Sequence, residues 1–354
     1  PCCPSASDAS RRALTVIPKR VLEPLPPAPD KAYDPSTYRG RVGAYAGQIH
    51  EVRWGYYKGW PHGQVRRAIV RKRWFQVVLH AGAETLLVRI QDNGTLGTGR
   101  ALLLNRATGA VLALDQQAAP LRKLVVGPDA GEGTKAFLRD GGAEMSLTRE
   151  KGASAWTLAL RWDSLTADLT LESAGAPTPS IVIGAARAPL AHRPALTQRA
   201  PLLKVTGSAT VDGRALPLGG TLAEVTYYNA FLPKLTRGRV LSAQGVVAGK
   251  PAALACTRGD LHGEQQEATL FVDGKPHALG RLQLLDDGRV LGDGLALAFT
   301  TRAFHSADER RMGGRIHHQS TWAAGQLEGE VTLPSGERTA LSWPALLEDH
   351  RLLR

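Results

Sequence analysis

Residues 156–172, WTLALRWDSLTADLTLE, decide the fold. Trp156, Leu158, Leu160 and Trp162 alternate with Thr157, Ala159 and Arg161. In the second run Leu165, Ala167, Leu169 and Leu171 alternate with Thr166, Asp168, Thr170 and Glu172. A period of two is the mark of a strand with one apolar and one polar face. Leu295, Leu297 and Phe299 repeat it farther along.

Working outward, tight-turn signals separate such runs at Asn93-Gly94, Asp140-Gly141, Asp212-Gly213, Asp273-Gly274, Asp287-Gly288 and Ser335-Gly336. Asn-Gly and Asp-Gly supply the positive φ angles of two-residue hairpin turns. TLFVDGKPHAL therefore reads as strand, turn, strand, with Pro276 at the hairpin end or a sheet edge. Helical patterning is scarce. HSADERRMGG suits one helical turn, and PALLEDHRLLR suits a short terminal helix starting at Pro344. The expected fold is all-β and antiparallel, closed into barrels or sandwiches that protect the strand edges.

The chain has 354 residues, 43% of them hydrophobic, enough for two β units. Residues 1–38 form a Pro-rich tail; LEPLPPAPD favours extended backbone and runs as a linker or strap along the surface. Prolines at 177, 179, 189, 194 and 201 place a boundary near 197, dividing the chain into units of residues 39–196 and 197–354. No exact repeat relates the two.

The net charge of +12 admits anionic partners without establishing one. VRRAIVRKRW gathers Arg66, Arg67, Arg71, Lys72 and Arg73, yet no nucleic-acid module surrounds it. It reads as a charged outer strand face or a peripheral contact with anionic membrane, and nucleic acid is not the expected partner. Cys2, Cys3 and Cys256 offer no CxxC spacing and suit a reducing compartment. No membrane-length apolar run or signal-peptide pattern occurs, and a leading Pro1 fits removal of an initiator Met, so the expected location is cytoplasmic.

GDLHGEQQEATLFVDGKPHALG resembles the second-half signature of the domain-of-unknown-function-2804 family, with Glu267, Phe271, Val272, Asp273, Gly274, His277 and Leu279 in matching places. TQRAPLLKVTGSATVDGRAL resembles that family's link between halves. RKRWFQVVLHAGAETLLVRIQDNGTLGTGRALLLNRATGAVL resembles its first strand pair, and LEDHRLLR its C-terminal ending. Ala268 stands where the family carries Asn. The resemblance spans roughly residues 50–354. It implies two lipocalin-like halves, an architecture shared with the carotenoid hydratase and tocopherol cyclase group, whose enzymes act on apolar substrates.

HGEQQE places His262, Glu264 and Glu267 at the mouth of an apolar strand. Burial there would raise a carboxyl pKa toward neutrality and make Glu267 a general acid or base, with Glu264 its companion and His262 a proton relay. The same composition suits a solvated loop. Tyr228 and His318 are the candidates to orient a substrate. Trp54, Tyr57 and Trp60, with His277 and Trp322, are candidates to line a pocket. On a strand His317 and His318 face opposite ways, so they do not form a metal pair. No GxGxxG, Walker loop, GxSxG or HExxH occurs, and no cofactor or metal is expected. Two readings follow: binding of an apolar or amphipathic small molecule in a β-barrel cavity, or a cofactor-independent acid–base enzyme, such as a hydratase, cyclase or isomerase, acting on one.

Overall fold

The computed structural model describes residues 22–37, 40–49, 52, 71–94, 96–119, 122–173, 178–185, 194–231, 235–262, 265–311 and 316–353. Among them every regular element is a strand, and every strand pairing is antiparallel. The strands make two sheets, each curled around its own apolar core.

The first sheet holds β2 (Gly43–Ala46), β3 (Arg71–Ala81), β4 (Glu84–Asp92), β5 (Gly97–Asn105), β6 (Val111–Ala118), β7 (Leu124–Val126), β8 (Thr134–Asp140), β9 (Ala143–Arg149), β10 (Trp156–Trp162), β11 (Leu165–Ser173), β12 (Ser180–Ala185), β13 (Pro194–Val211), β14 (Arg214–Ala215) and β15 (Leu222–Phe231). The second holds β16 (Leu235–Val247), β17 (Lys250–Gly259), β18 (Ala268–Val272), β19 (Lys275–Ala278), β20 (Leu282–Leu284), β21 (Arg289–Gly292), β22 (Leu295–Arg311), β23 (Ile316–Thr332) and β24 (Arg338–Leu353), with β1 (Glu23–Pro24) added at its edge. The all-β, two-unit expectation holds.

The two sheets repeat one topology. In the first, the meander β3–β6 runs one way and the remaining strands run the other, with β3 paired to β15. In the second, the meander β16–β19 runs one way and β20–β24 the other, with β16 paired to β24. So the first strand of each meander pairs with the last strand of its unit. The duplication that the sequence does not display is present in the strand order.

The quoted stretch forms the β10–β11 hairpin, register Trp156↔Leu171 through Trp162↔Leu165. Its apolar residues enter the first core as expected. All six turn signals separate paired strands. Asp212 and Gly213 have φ of 49° and 77°, Asp273 and Gly274 of 53° and 75°, the two positive values a type I′ turn requires.

The change of sheet falls between Phe231 and Leu235, whereas the sequence boundary at 197 lies inside β13. The proline cluster marks a bend instead. At Pro201-Leu202 the β13–β15 register shifts between Ala200 and Leu203, and Leu202 takes a φ of 60°. A bulge of this kind flips the strand's parity. Before it Ala195, Thr197 and Arg199 point away from the first core; after it Leu203 and Val205 point into it.

Both helical expectations are corrected. His305–Arg311 continues β22, and Pro344 lies within β24. The missing N–H of Pro344 is tolerated because the β16 ladder ends one residue away, at the Ala243↔Ala345 pair. The doublets Leu346-Leu347 and Leu352-Leu353 mimic a helical stripe, but Leu346 and Leu347 serve opposite faces of one strand, and at the end of it Leu352 is buried while Leu353 is exposed.

The tail is a strap over the part described. Glu23 and Pro24 pair with Ala278 and His277 at the edge of the second sheet. Leu22 enters the second core and Ala32 the first, so this segment stitches the two units together.

The units are joined along a seam made by the outer faces of their strands. Val78, Leu87, Leu102 and Leu104 of the first sheet pack on Trp322, Ala324 and Leu346 of the second. Tyr228 and Ala230 pack with Leu261 and Leu352, and Leu202 with Ala253, Ala255 and Phe271. A face that would meet water in a single barrel is therefore buried here.

Candidate functional site

The polar residues of this seam gather around one small cavity. The first sheet contributes Trp74 and Gln76 on β3, Arg89 on β4, Thr197 and Arg199 on β13, and Thr226 and Tyr228 on β15. The second contributes Val240 on β16, Thr257 on β17, Leu261 and His262 just after it, and Glu348 and His350 on β24. The volume is about 30 Å³, room for one or two waters. It lies between the units, outside both barrel cores, whereas the sequence reading expects a cavity inside a barrel.

Three groups define its chemistry. The first is Arg199, 3% exposed at its side chain. Its Nε and Nη2 donate to the two carboxylate oxygens of Glu267, each at 2.9 Å. Its Nη1 donates to Glu224 Oε1 and to Thr226 Oγ1, the latter at 3.1 Å. Two carboxylates thus share one guanidinium, and Glu267 has the better half of it. Burial pushes the Glu267 carboxyl up, but Arg199 outweighs that and holds it below its ordinary value. Burial raises the Glu224 carboxyl, and the nearby Glu267 charge adds to the rise. Glu224 Oε2 is buried with no hydrogen-bond partner. The opposed shifts make Glu224 the readier of the two carboxyls to hold a proton beside the single Arg199 charge.

The second group centres on Glu348, which links the sheets from the other side. It accepts from Gln76 Nε2 at 2.6 Å, Trp322 Nε1 at 3.1 Å, His350 Nε2 at 3.1 Å and the Arg89 guanidinium. Arg89 also donates to Gln76 Oε1, at 2.7 Å from Nε. Burial alone would raise the Glu348 carboxyl; Arg89 and these donors hold it well below the usual carboxylate range. Burial lowers His350, leaving a neutral imidazole.

The third is His262. Its Nε2 lies 2.6 Å from Thr197 Oγ1, and its Nδ1 is buried with no partner. Burial lowers its pKa from 6.5 to about 4, so the ring is neutral at pH 7 and one nitrogen is unused. Beside it Tyr228 donates to Leu261 O at 3.0 Å and stacks on Trp74, ring centroids 3.9 Å apart. The loop carrying His262 lies directly on Gly184 of β12. A Cβ there would stand 2.0 Å from His262 O and 2.6 Å from its Cβ, so only glycine fits.

Of the residues singled out from sequence, Tyr228 and His262 line the cavity, and Glu267 lies behind Arg199. Trp322 supports the cavity from beneath through Glu348. His318 reaches His350 through Ser320 and by ring stacking, centroids 5.8 Å apart. His277 lies on β19 against the strap, at the far edge of the second sheet. Trp54, Tyr57, Trp60 and Glu264 lie outside the described residues. Arg71, Lys72 and Arg73 are engaged within the first sheet, with Asn229, the Asn93 carbonyl and Asp92. His317 bonds Asp308 at 2.8 Å while His318 turns to Ser320, the opposed pair expected on a strand. Among the described residues no group of three His, Cys, Asp or Glu side chains is placed to hold a metal. Cys256 is buried, its thiol pushed up to about 12.

Sequence reasoning missed Arg199, Glu224, Arg89, Gln76 and Glu348. Each occupies an outward strand position, which reads as solvent-facing until a second sheet is known to cover it.

No protein-family model and no curated protein matches the chain. Solved structures do. CghA in complex with Sch210972 superposes with a TM-score of 0.55 at 12% identity, over 93% of this chain and 97% of that one. CghA alone gives 0.51 at 12% identity, over 94% and 98%. Kievitone hydratase from Nectria haematococca gives 0.46 at 12%, over 92% and 98%, a likeness too loose to carry weight. At this identity the CghA superpositions establish the fold alone.

Proposed function

We propose that the chain takes the polar end of an apolar or amphipathic small molecule into the seam between its two β units and carries out cofactor-independent acid–base chemistry on it. The observation that carries this reading is His262: a neutral, buried imidazole lining a cavity, with one nitrogen unpartnered. Leaving a buried polar atom unpaired costs about 1–3 kcal/mol, and a ligand atom at Nδ1 would remove that cost. A neutral imidazole with a free nitrogen is also the form that accepts or donates a proton.

The lining supports the rest. Trp74, Val240 and Leu261 supply apolar wall. Arg199 and Arg89 are already neutralised by carboxylates, so a neutral hydroxyl or carbonyl fits better than an anion. A volume of about 30 Å³ accepts a functional group rather than a whole lipid or polyketide, whose apolar part would lie beyond these walls. The fold likeness to CghA, a protein solved with Sch210972, is in keeping with this reading. Proton transfer is assigned to His262 in preference to Glu267, whose oxygens are both committed to Arg199. Tyr228 orients the ligand.

Native mass spectrometry of the chain extracted gently from its source tests the reading. One small organic molecule per chain is expected. The same molecule should be turned over by wild type and, on loss of acid–base assistance, about 10²-fold or more slower by His262→Asn. Absence of any such molecule, or equal turnover by the variant, would count against it.

A further inference from the structure

The register of β23 and β24 places Ser320 opposite His350 and Trp322 opposite Glu348. Residues two apart share a face, so His318, Ser320 and Trp322 stand in one row and His350 and Glu348 in the next. The row is bonded end to end. His318 Nε2 lies 2.9 Å from Ser320 Oγ, Ser320 Oγ lies 3.0 Å from His350 Nδ1, and His350 Nε2 lies 3.1 Å from Glu348 Oε2. His318 is half-buried, at the end of the row away from the cavity, while His350 and Glu348 line the cavity itself.

We propose that His318, Ser320 and His350 form a proton relay that connects the protein surface to the cavity. The directions of its bonds follow from the acceptor at its inner end. An ionised Glu348 can only accept, so His350 Nε2 carries the hydrogen and Nδ1 is the lone pair. Ser320 therefore donates to Nδ1, and its oxygen accepts from His318 Nε2–H. A proton taken up at His318 Nδ1 releases the Nε2 proton to Ser320. The Ser320 proton passes to His350 Nδ1, and the His350 Nε2 proton leaves toward Glu348 and the cavity. One proton enters at His318 and one arrives on Glu348, which becomes neutral and donates back to His350 Nε2, so each hydrogen bond reverses.

The surroundings suit a conductor rather than a store. His350 faces Glu348 on its own strand, Ser320, His318 and Trp322 on β23, Arg89 on β4 and Arg100 on β5. Burial disfavours a resting imidazolium, Arg89 and Arg100 add to that, and Glu348 opposes it without reversing the direction. A proton that arrives is passed on. Use of the relay in turnover rests on the function proposed above; its existence does not, so it is read in the protein without any guest.

The measurement is hydrogen exchange of the His350 Nε2–H in the full-length protein labelled with ¹⁵N-histidine. In Ser320→Ala the exchange should slow by about tenfold, the effect of about 1.4 kcal/mol in a barrier, and Ser320→Thr, which restores a hydroxyl, should recover it. His318→Gln, which keeps a polar side chain but carries no titratable proton, should slow it similarly and covers the case in which Ser320→Ala fails to fold. A purely structural Ser320 would loosen the seam when removed and speed exchange. Unchanged or faster exchange in the alanine or glutamine variant overturns the relay, as does a wild-type His350 protonated on Nδ1 alone.

Discussion

Arg199 on β13 and Glu267 just ahead of β18 share two hydrogen bonds of 2.9 Å, with side chains 3% and 1% exposed. The pair bolts one β unit to the other. Glu224 is only the third member, sharing the guanidinium through one oxygen.

That asymmetry separates two otherwise similar substitutions. Removing one partner of a buried ion pair strands the other and costs about 3–5 kcal/mol. Glu267→Gln should therefore lower the unfolding free energy by about that much. Glu224→Gln substitutes a neutral amide that keeps the acceptor oxygen at the carboxyl that more readily holds a proton, and should change it by less than about 1 kcal/mol. Urea denaturation of the two variants beside wild type measures the contrast; equal losses would mean that both carboxyls are ionised.

His262 ties stability to acid. Its folded pKa, about 4, lies below the ordinary value of 6.5, so the unfolded chain binds a proton where the native ring does not. Its contribution is fully present above pH 6.5 and is lost as pH falls toward 4, about 3 kcal/mol in all. Glu267 and Glu348, held low, lose their contributions at still more acid pH. Glu224, held high, works the other way and loses its contribution as pH rises through its folded value. Denaturant curves between pH 7 and 4 should show a shallower decline for His262→Asn than for wild type.

Gly184 lets the His262 loop lie against β12. Gly184→Ala should cost about 1–3 kcal/mol through overpacking. Because the displaced residue is His262, the variant should also lose the guest recovered with wild type by native mass spectrometry. A variant that is destabilised yet keeps its guest would detach His262 from binding.

Much of the fold was legible in the chain. The alternation in WTLALRW and LTADLTLE, and the Asp-Gly turns, specify antiparallel strands that the structure contains. So was part of the site: His262 and Tyr228 meet at one cavity, and Glu267 stands behind it. The remainder was hidden for a physical reason. Gln76, Arg89, Arg199 and Glu348 sit where a strand's outer face meets water in an isolated barrel, and polar residues there carry no signal. Only stacking a second sheet on that face buries them. The same double burial made β24 look helical, because a strand apolar on both sides loses its period of two. The bulge at Leu202, which flips the parity of β13, hides Arg199 from any count of alternation running through it.

The most direct test is a crystal structure of the chain with the molecule that co-purifies with it. An oxygen or nitrogen of that molecule is expected within hydrogen-bond distance of His262 Nδ1, in the seam between Tyr228 and Glu348. A molecule enclosed within either β unit, with His262 Nδ1 left unpaired, would contradict it.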